Sequence, residues 1–370
     1  MRLISNKKID EFKNKLRENS IDAALFLCSE PIHDINIEYF TGFQQIRYHS
    51  FSCLLLTQDK TILIVSPLDY ERAQKEAEAD ELIKSDKISL SEILKEKLRA
   101  FSTIGIIENL FPCKLFRRLS KFRFKDIANI TFEIRAVKEE REIERIKKAC
   151  RIANRGVEFI KQNLSAKITE KEMSRILEQE MIRCGADELA FPTFVASGER
   201  SGFIHPCPAA SNQKIQNGLG LIDFGVVFKG YCSDVTVPFI IGNASENQRK
   251  IVKAVKDAYR EAIDGLKIGM PTWKLHETAN KIIAKNGFEF KHSLGHGLGL
   301  EVHDSPSISP KPKGGKKLKK WRESVLKENM VFTIEPGVYV PNIGGCRIEN
   351  DILMTKNGPK ILTKSRLIDI

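Results

Sequence analysis

Residues 219–240 read LGLIDFGVVFKGYCSDVTVPFI. Apolar, β-branched and aromatic residues dominate, and glycines at 225 and 230 divide the text into Leu219–Phe224, Val226–Phe228 and Tyr231–Ile240. Runs this short and this close leave no room for crossover helices, so they read as strands of antiparallel ribbons. A second set, Met330–Ile334, Val338–Val340 and Cys346–Thr355, repeats the pattern. Each set follows two helical stretches with apolar residues three and four apart, Ile143–Gln162 and Glu170–Cys184 before the first, Asn247–Ile263 and Thr272–Asn286 before the second. Gly185 and Gly287 stand where a helix would close, which suggests an internal duplication of a helix pair plus strands. The C-terminal part is therefore α+β, with helices on one side of antiparallel sheets.

Working outward, residues 6 to about 130 alternate differently. Aliphatic runs at Ala23–Cys28, Ser52–Leu56, Thr61–Val65 and Thr103–Ile107 are separated by polar segments near 69–80 and 89–99 that suit helices. The expectation is an α/β N-terminal domain over 1–130, holding only His33 and His49 of the histidines, followed by an α+β domain over 131–370. With 42% hydrophobic and 29% charged residues, the chain can bury substantial cores, which excludes a disordered linker. Its eight cysteines include no CxxC pair, and MRLISNKKIDEF at the start lacks an apolar signal core, so a reduced, cytoplasmic protein is expected. No apolar run approaches membrane length. Seven basic residues lie between Lys311 and Arg322, so much of the formal net charge of +12 is local, and the segment reads as an exposed loop. Nucleic-acid binding on overall charge is not expected.

Chemistry concentrates in Asp223, Asp234, His296, Glu335 and Glu349, all in β- or Gly-rich text. Carboxylates flanked by apolar residues, as in IDFG, CSDVTV, FTIEPG and CRIEND, are costly to bury uncompensated, and a cation compensates them. Four carboxylates and an imidazole can hold two divalent ions, with Mn²⁺ preferred and Co²⁺ or Zn²⁺ acceptable to such a set. One aspartate alone would read as a turn or cap; five such residues together do not. His205, His292 and His303 form a second group suited to orienting substrate or donating to an oxyanion. GHGLGL at 295–300 imitates a nucleotide loop without its pattern or helix, and Ser197 and Cys207 lack a readable base, so neither a nicotinamide site nor a protein nucleophile is favoured.

On VASGERSGFIHP, LIDFGVVFKGYCSDVT, HSLGHGLGLEVHDSP, VFTIEPGVYV and GCRIENDILMT, the second domain resembles the pita-bread metallopeptidases, which include methionine aminopeptidase, aminopeptidase P, prolidase and the non-peptidase creatinase. IDAALFLCSEPIHDINIEYFTGF is similar to their creatinase-type N-terminal module. The resemblance implies that Asp223 chelates one ion, Asp234 and Glu349 bridge, and His296 and Glu335 bind the other. Glu335 also serves as proton acceptor of the attacking water. It further implies that His303 donates to the scissile carbonyl, that His205 and His292 shape the pocket, and that the chain is a homodimer cleaving Xaa-Pro bonds in dipeptides or at peptide N-termini. The alternatives are another N-terminal specificity, or a catalytically silent fold serving as a binding protein. Asn350, where many relatives carry Asp, is expected to loosen support for Arg347 or for the ligand.

Overall fold

The computed structural model describes residues 3–44, 50–315, 318 and 321–370. Two compact units are present, Met1–Arg135 and Ala136–Ile370.

The first unit is a six-stranded mixed sheet in the order 81–84, 61–65, 51–57, 23–29, 103–106, 123–126. Ala23–Ser29, Phe51–Thr57 and Thr61–Val65 pair antiparallel in succession, and the other three pairs of the sheet are parallel. The aliphatic runs noted in the sequence are these inner strands and are almost wholly buried. The strands Glu81–Lys84 and Arg123–Asp126 carry no apolar run because they form the sheet edges, where charged residues face water and discourage further pairing. His49 lies outside the described residues.

The second unit has two similar halves. Helices Glu140–Asn163 and Glu170–Arg183 cover the sheet of 194–197, 218–224 and 235–241. Ile152, Val157, Met173 and Leu177 interdigitate there with Ile222, Val235 and Val237, and each fully buried side chain of this size contributes about 1.5–3 kcal/mol. Helices Glu246–Asp264 and Thr272–Lys285 cover the sheet of 295–297, 331–334 and 350–355 through Ile251, Val255, Leu275 and Ile283. Gly185 and Gly287 both follow the second helix of their pair with positive φ, 97° and 82°, a conformation open to glycine without Cβ strain.

Two strands expected to be continuous are interrupted. Tyr231–Ile240 breaks at Ser233–Asp234, and Cys346–Thr355 breaks at Ile348–Glu349. A third gap, Glu335–Pro336, separates Val331–Ile334 from Gly337–Val340. Each break falls on a carboxylate singled out above.

Of the basic segment, Lys316, Lys317, Lys319 and Lys320 lie outside the described residues. Its Lys311 ammonium sits 5.4 Å from the Trp273 ring and 5.2 Å from the Trp321 ring, and Trp273 Nε1 donates to Glu323 at 2.9 Å. Among the described residues no helix is long and apolar enough to cross a membrane.

Candidate active site

A cavity of about 590 Å³ opens in the second unit. All eight residues singled out from the sequence line it: Asp223, Asp234, His296, Glu335, Glu349, His205, His292 and His303. The first sheet supplies Asp223 within Gly218–Phe224 and Asp234 at the following strand break, while the second half supplies the other three acidic or imidazole groups of the cluster. Strand pairing sets the register, with Thr236 opposite Asp223. His296 projects from Gly295–Gly297, where the pairing with Asp304–Ile308 slips by a bulge between His296 and Gly297.

Ligand-type atoms of Asp234, His296 and Glu349 lie within 4.8 Å of one another. His296 Nδ1 is 3.1 Å from the Gly297 carbonyl, which can only accept, so Nδ1 carries the proton and Nε2 presents a lone pair. That Nε2 faces Asp234 Oδ2 at 3.5 Å and Glu335 Oε1 at 3.4 Å, acceptor against acceptor, with no donor between them. Asp223 Oδ1 and Asp234 Oδ1 are buried without a hydrogen-bond partner. These orphaned acceptors fit a divalent cation, and the oxygen-rich donor set suits a hard or borderline ion.

The electrostatics agree. Burial, reinforced by Glu349 and Asp223, raises the Asp234 carboxyl well above the usual carboxylate range. Burial raises Glu349 likewise and pushes Glu335 up to about 7. Four carboxylates share one cavity with a single guanidinium, Arg347, so their joint ionisation needs further positive charge. The imidazoles are driven the other way. Burial lowers His292 to about 3, aided by Arg347, and lowers His296 and His303, which keeps their lone pairs free at neutral pH. His292 Nδ1–H donates to the Ser293 carbonyl at 2.8 Å, and its buried Nε2 has no hydrogen-bond partner.

Arg347 ties the layers together. It donates from Nη2 to Asp223 Oδ2 at 2.5 Å, from Nη1 to the Tyr339 hydroxyl at 2.6 Å and from Nε to Thr236 Oγ1 at 2.8 Å. Thr236 Oγ1 in turn donates to Glu349 Oε2 at 2.6 Å. Asn350, expected to loosen this arrangement, directs its side chain to other partners. Its Nδ2 donates to the Tyr259 hydroxyl at 2.9 Å and its Oδ1 accepts from the Ser365 amide at 2.6 Å, so it secures the C-terminal segment. The acidic neighbour of the site is Asp351, whose Oδ2 accepts from the Asp234 amide at 3.1 Å and the Cys150 thiol at 3.3 Å. Sequence reasoning missed Thr236, Asp351 and Cys150, and also His276, which hydrogen-bonds the His292 carbonyl at 3.2 Å. For Asp351 the signal available was a second carboxylate in the apolar text after Glu349.

Phe191, Pro192, Phe194, Ile204 and Val302 give the cavity an apolar wall. The His296 and His303 rings meet edge to face at 4.3 Å, placing the second imidazole beside the acidic cluster.

Comparison with known proteins joins these observations. Residues 144–356 match the model described as metallopeptidase family M24, and residues 8–137 match the creatinase/prolidase N-terminal domain. The chain is 36% identical over 365 residues to a protein of Pyrococcus horikoshii named Xaa-Pro dipeptidase, covering 97% of this chain and 96% of that one. The crystal structure of the prolidase from Pyrococcus horikoshii OT3 superposes with a TM-score of 0.85 at 35% identity, covering 98% and 99% of the two chains. The X-Pro aminopeptidase from Thermotoga maritima superposes at 0.81 with 33% identity, covering 96% and 100%.

Proposed function

The chain belongs to metallopeptidase family M24, and on that premise we propose that it hydrolyses Xaa-Pro bonds with two divalent metal ions, acting first on dipeptides. The observation that carries the metal reading is the His296 Nε2 lone pair facing the Asp234 and Glu335 oxygens with no donor between. Asp223 and Asp234 would hold one ion and His296 and Glu335 the other, with Asp234 and Glu349 shared. Bound metal supplies Lewis-acid polarisation of the scissile carbonyl and lowers the pKa of water.

The chain's own groups do the rest. Glu335 would accept a proton from water and return it to the leaving proline nitrogen. Thr333 Oγ1 steadies it with a hydrogen bond of 3.2 Å to Oε1. His303 stands beside His296 to donate to the oxygen that gains charge, while His292 and His205 line the same cavity to position substrate. The apolar wall suits a pyrrolidine ring, and its closeness to His205 supports proline on the leaving side. Mn²⁺ as the metal, a cytoplasmic location and a homodimer belong to the same proposal; all eight cysteines being unpaired agrees with a reducing compartment.

Full-length similarity to an X-Pro aminopeptidase keeps N-terminal cleavage of longer peptides as the second reading. Incubation of the Mn²⁺-loaded protein with Ala-Pro, Ala-Pro-Ala and Met-Ala-Ser decides between them. Cleavage of Ala-Pro alone establishes the dipeptidase, and cleavage of Ala-Pro-Ala the aminopeptidase. Inertness toward both proline peptides refutes the proposal.

A further inference from the structure

One histidine of the cavity lies beside its apolar wall and outside any helix or strand. His205 is exposed, it sits on an irregular stretch between the short helix Gly198–Gly202 and the strand Gly218–Phe224, and its ring lies 6.5 Å from that of Phe194. A side chain so placed can serve a fixed geometry only if its backbone is held.

The holding group is a carboxylate remote in the text. Glu170 opens the helix Glu170–Arg183, and its side chain is wholly buried. Oε1 accepts from the Ser197 amide (2.8 Å), Ser197 Oγ (2.9 Å) and Gln213 Nε2 (2.9 Å). Oε2 accepts from the Ser211 amide (3.1 Å), Ser211 Oγ (2.7 Å) and Arg200 Nε (2.9 Å). Six donors on one carboxylate fasten both ends of the segment 197–213 to a helix N-terminus, which itself favours negative charge. Arg200 carries the hold into the middle of the segment. Its Nη1 donates to the Cys207 carbonyl at 3.4 Å and its Nη2 to the Pro208 carbonyl at 2.5 Å, two and three residues beyond His205.

We propose that Glu170 and Arg200 are positioning residues for catalysis, forming a clamp that fixes the backbone on either side of His205 so that its imidazole meets substrate. A purely architectural role would need neither the guanidinium bridge to two carbonyls nor a charge buried at such desolvation cost, since an apolar contact could anchor a loop. Neither residue touches the acidic cluster, so the clamp acts on substrate and leaves metal binding alone. The inference rests on the proposed role of His205 at the substrate side.

The test compares Arg200→Ala, Arg200→Lys, His205→Ala and the double variant R200A/H205A in the full-length, Mn²⁺-loaded protein, on the proline peptide that the wild type cleaves. Displacement of about 1 Å at a positioned group costs up to about 100-fold, so Arg200→Ala is expected to lower kcat/KM about 10- to 100-fold with the Mn²⁺ affinity unchanged. The double variant is expected to be no worse than His205→Ala, because the clamp acts through that residue. Arg200→Lys keeps the charge beside Glu170 but cannot bridge both carbonyls, so a folded Arg200→Lys protein should show the same split even if Arg200→Ala does not fold. If His205→Ala itself is harmless, the role of His205 fails and the clamp with it. If His205→Ala is damaging while the Arg200 variants keep full activity, lose metal in parallel, or add their loss to that of His205→Ala, the clamp alone is overturned.

Discussion

Replacing Thr236 by valine removes one hydroxyl and almost no volume. That hydroxyl donates to Glu349 Oε2 at 2.6 Å and accepts from Arg347 Nε at 2.8 Å, with all three residues buried. Valine leaves the Glu349 carboxyl and an Arg347 guanidinium N–H without this partner at the buried edge of the cavity. Hydrogen bonds to charged groups contribute about 1.5–3 kcal/mol each, and two sharing one atom are not fully additive, so a loss of about 3 kcal/mol is expected. For a unit the size of the second domain this lowers Tm by roughly 6–12 °C. Glu349 also loses the bond that aims its carboxylate, so Mn²⁺ affinity should fall about 10- to 100-fold. Differential scanning calorimetry of the metal-free protein and titration calorimetry with Mn²⁺ read the two effects separately. Thr236→Ser is the control, since it keeps the hydroxyl and should retain affinity. A valine variant that melts within about 2 °C of wild type and binds Mn²⁺ equally would refute the claim that this hydroxyl couples Arg347 to Glu349.

Two further outcomes follow from the same geometry. A Cβ on Gly297 would lie 2.0 Å from the Ser305 carbonyl oxygen, a backbone atom that cannot swing aside, so Gly297→Ala should destabilise by about 1–3 kcal/mol and, by moving the adjacent His296, weaken metal binding in titration calorimetry. The second concerns pH. Glu335 holds its proton more tightly folded than unfolded, so its contribution to metal-free stability is present below its unfolded pKa and is lost as pH rises toward about 7. Divalent metal competes for the same ionised oxygens, so the Tm gained on adding Mn²⁺ should grow between about pH 5 and about pH 7.5; a gain that shrinks over this range would contradict the buried-carboxylate account.

How far the sequence could be read depended on what each residue's burial required. The inner strands of the first unit were visible because burial on both faces demands unbroken aliphatic text, as in Thr61–Val65. Its edge strands were invisible because Arg123–Asp126 is written in the polar residues that an edge needs. In the second unit, β-rich text marked Tyr231–Ile240 and Cys346–Thr355 but hid their interruptions, since Ser233–Asp234 and Ile348–Glu349 leave the ladder for tertiary reasons. Asp234, Glu335 and Glu349 stand at such interruptions, where leaving the ladder lets the carboxylate turn into the shared cavity, whereas Asp223 reaches it from within the strand Gly218–Phe224.

The same reasoning separates the residues around that cavity. Asp223, Asp234, Glu335 and Glu349 could be marked because an acid amid apolar neighbours conflicts with its own surroundings, and the conflict is local in the text. Thr236 conflicts with nothing, being an ordinary strand residue whose importance is set by Glu349, 113 positions away, and by Arg347. Cys150 and Asp351 meet across 201 positions, and Glu170 reads as one more acid in the first turn of an amphipathic helix until six donors are found on it. What a single sequence reveals is therefore the group whose charge must be neutralised. The neutral or helix-borne groups that aim it become visible only when folding closes those long separations, and Thr236→Val and Arg200→Ala both probe that second kind of residue.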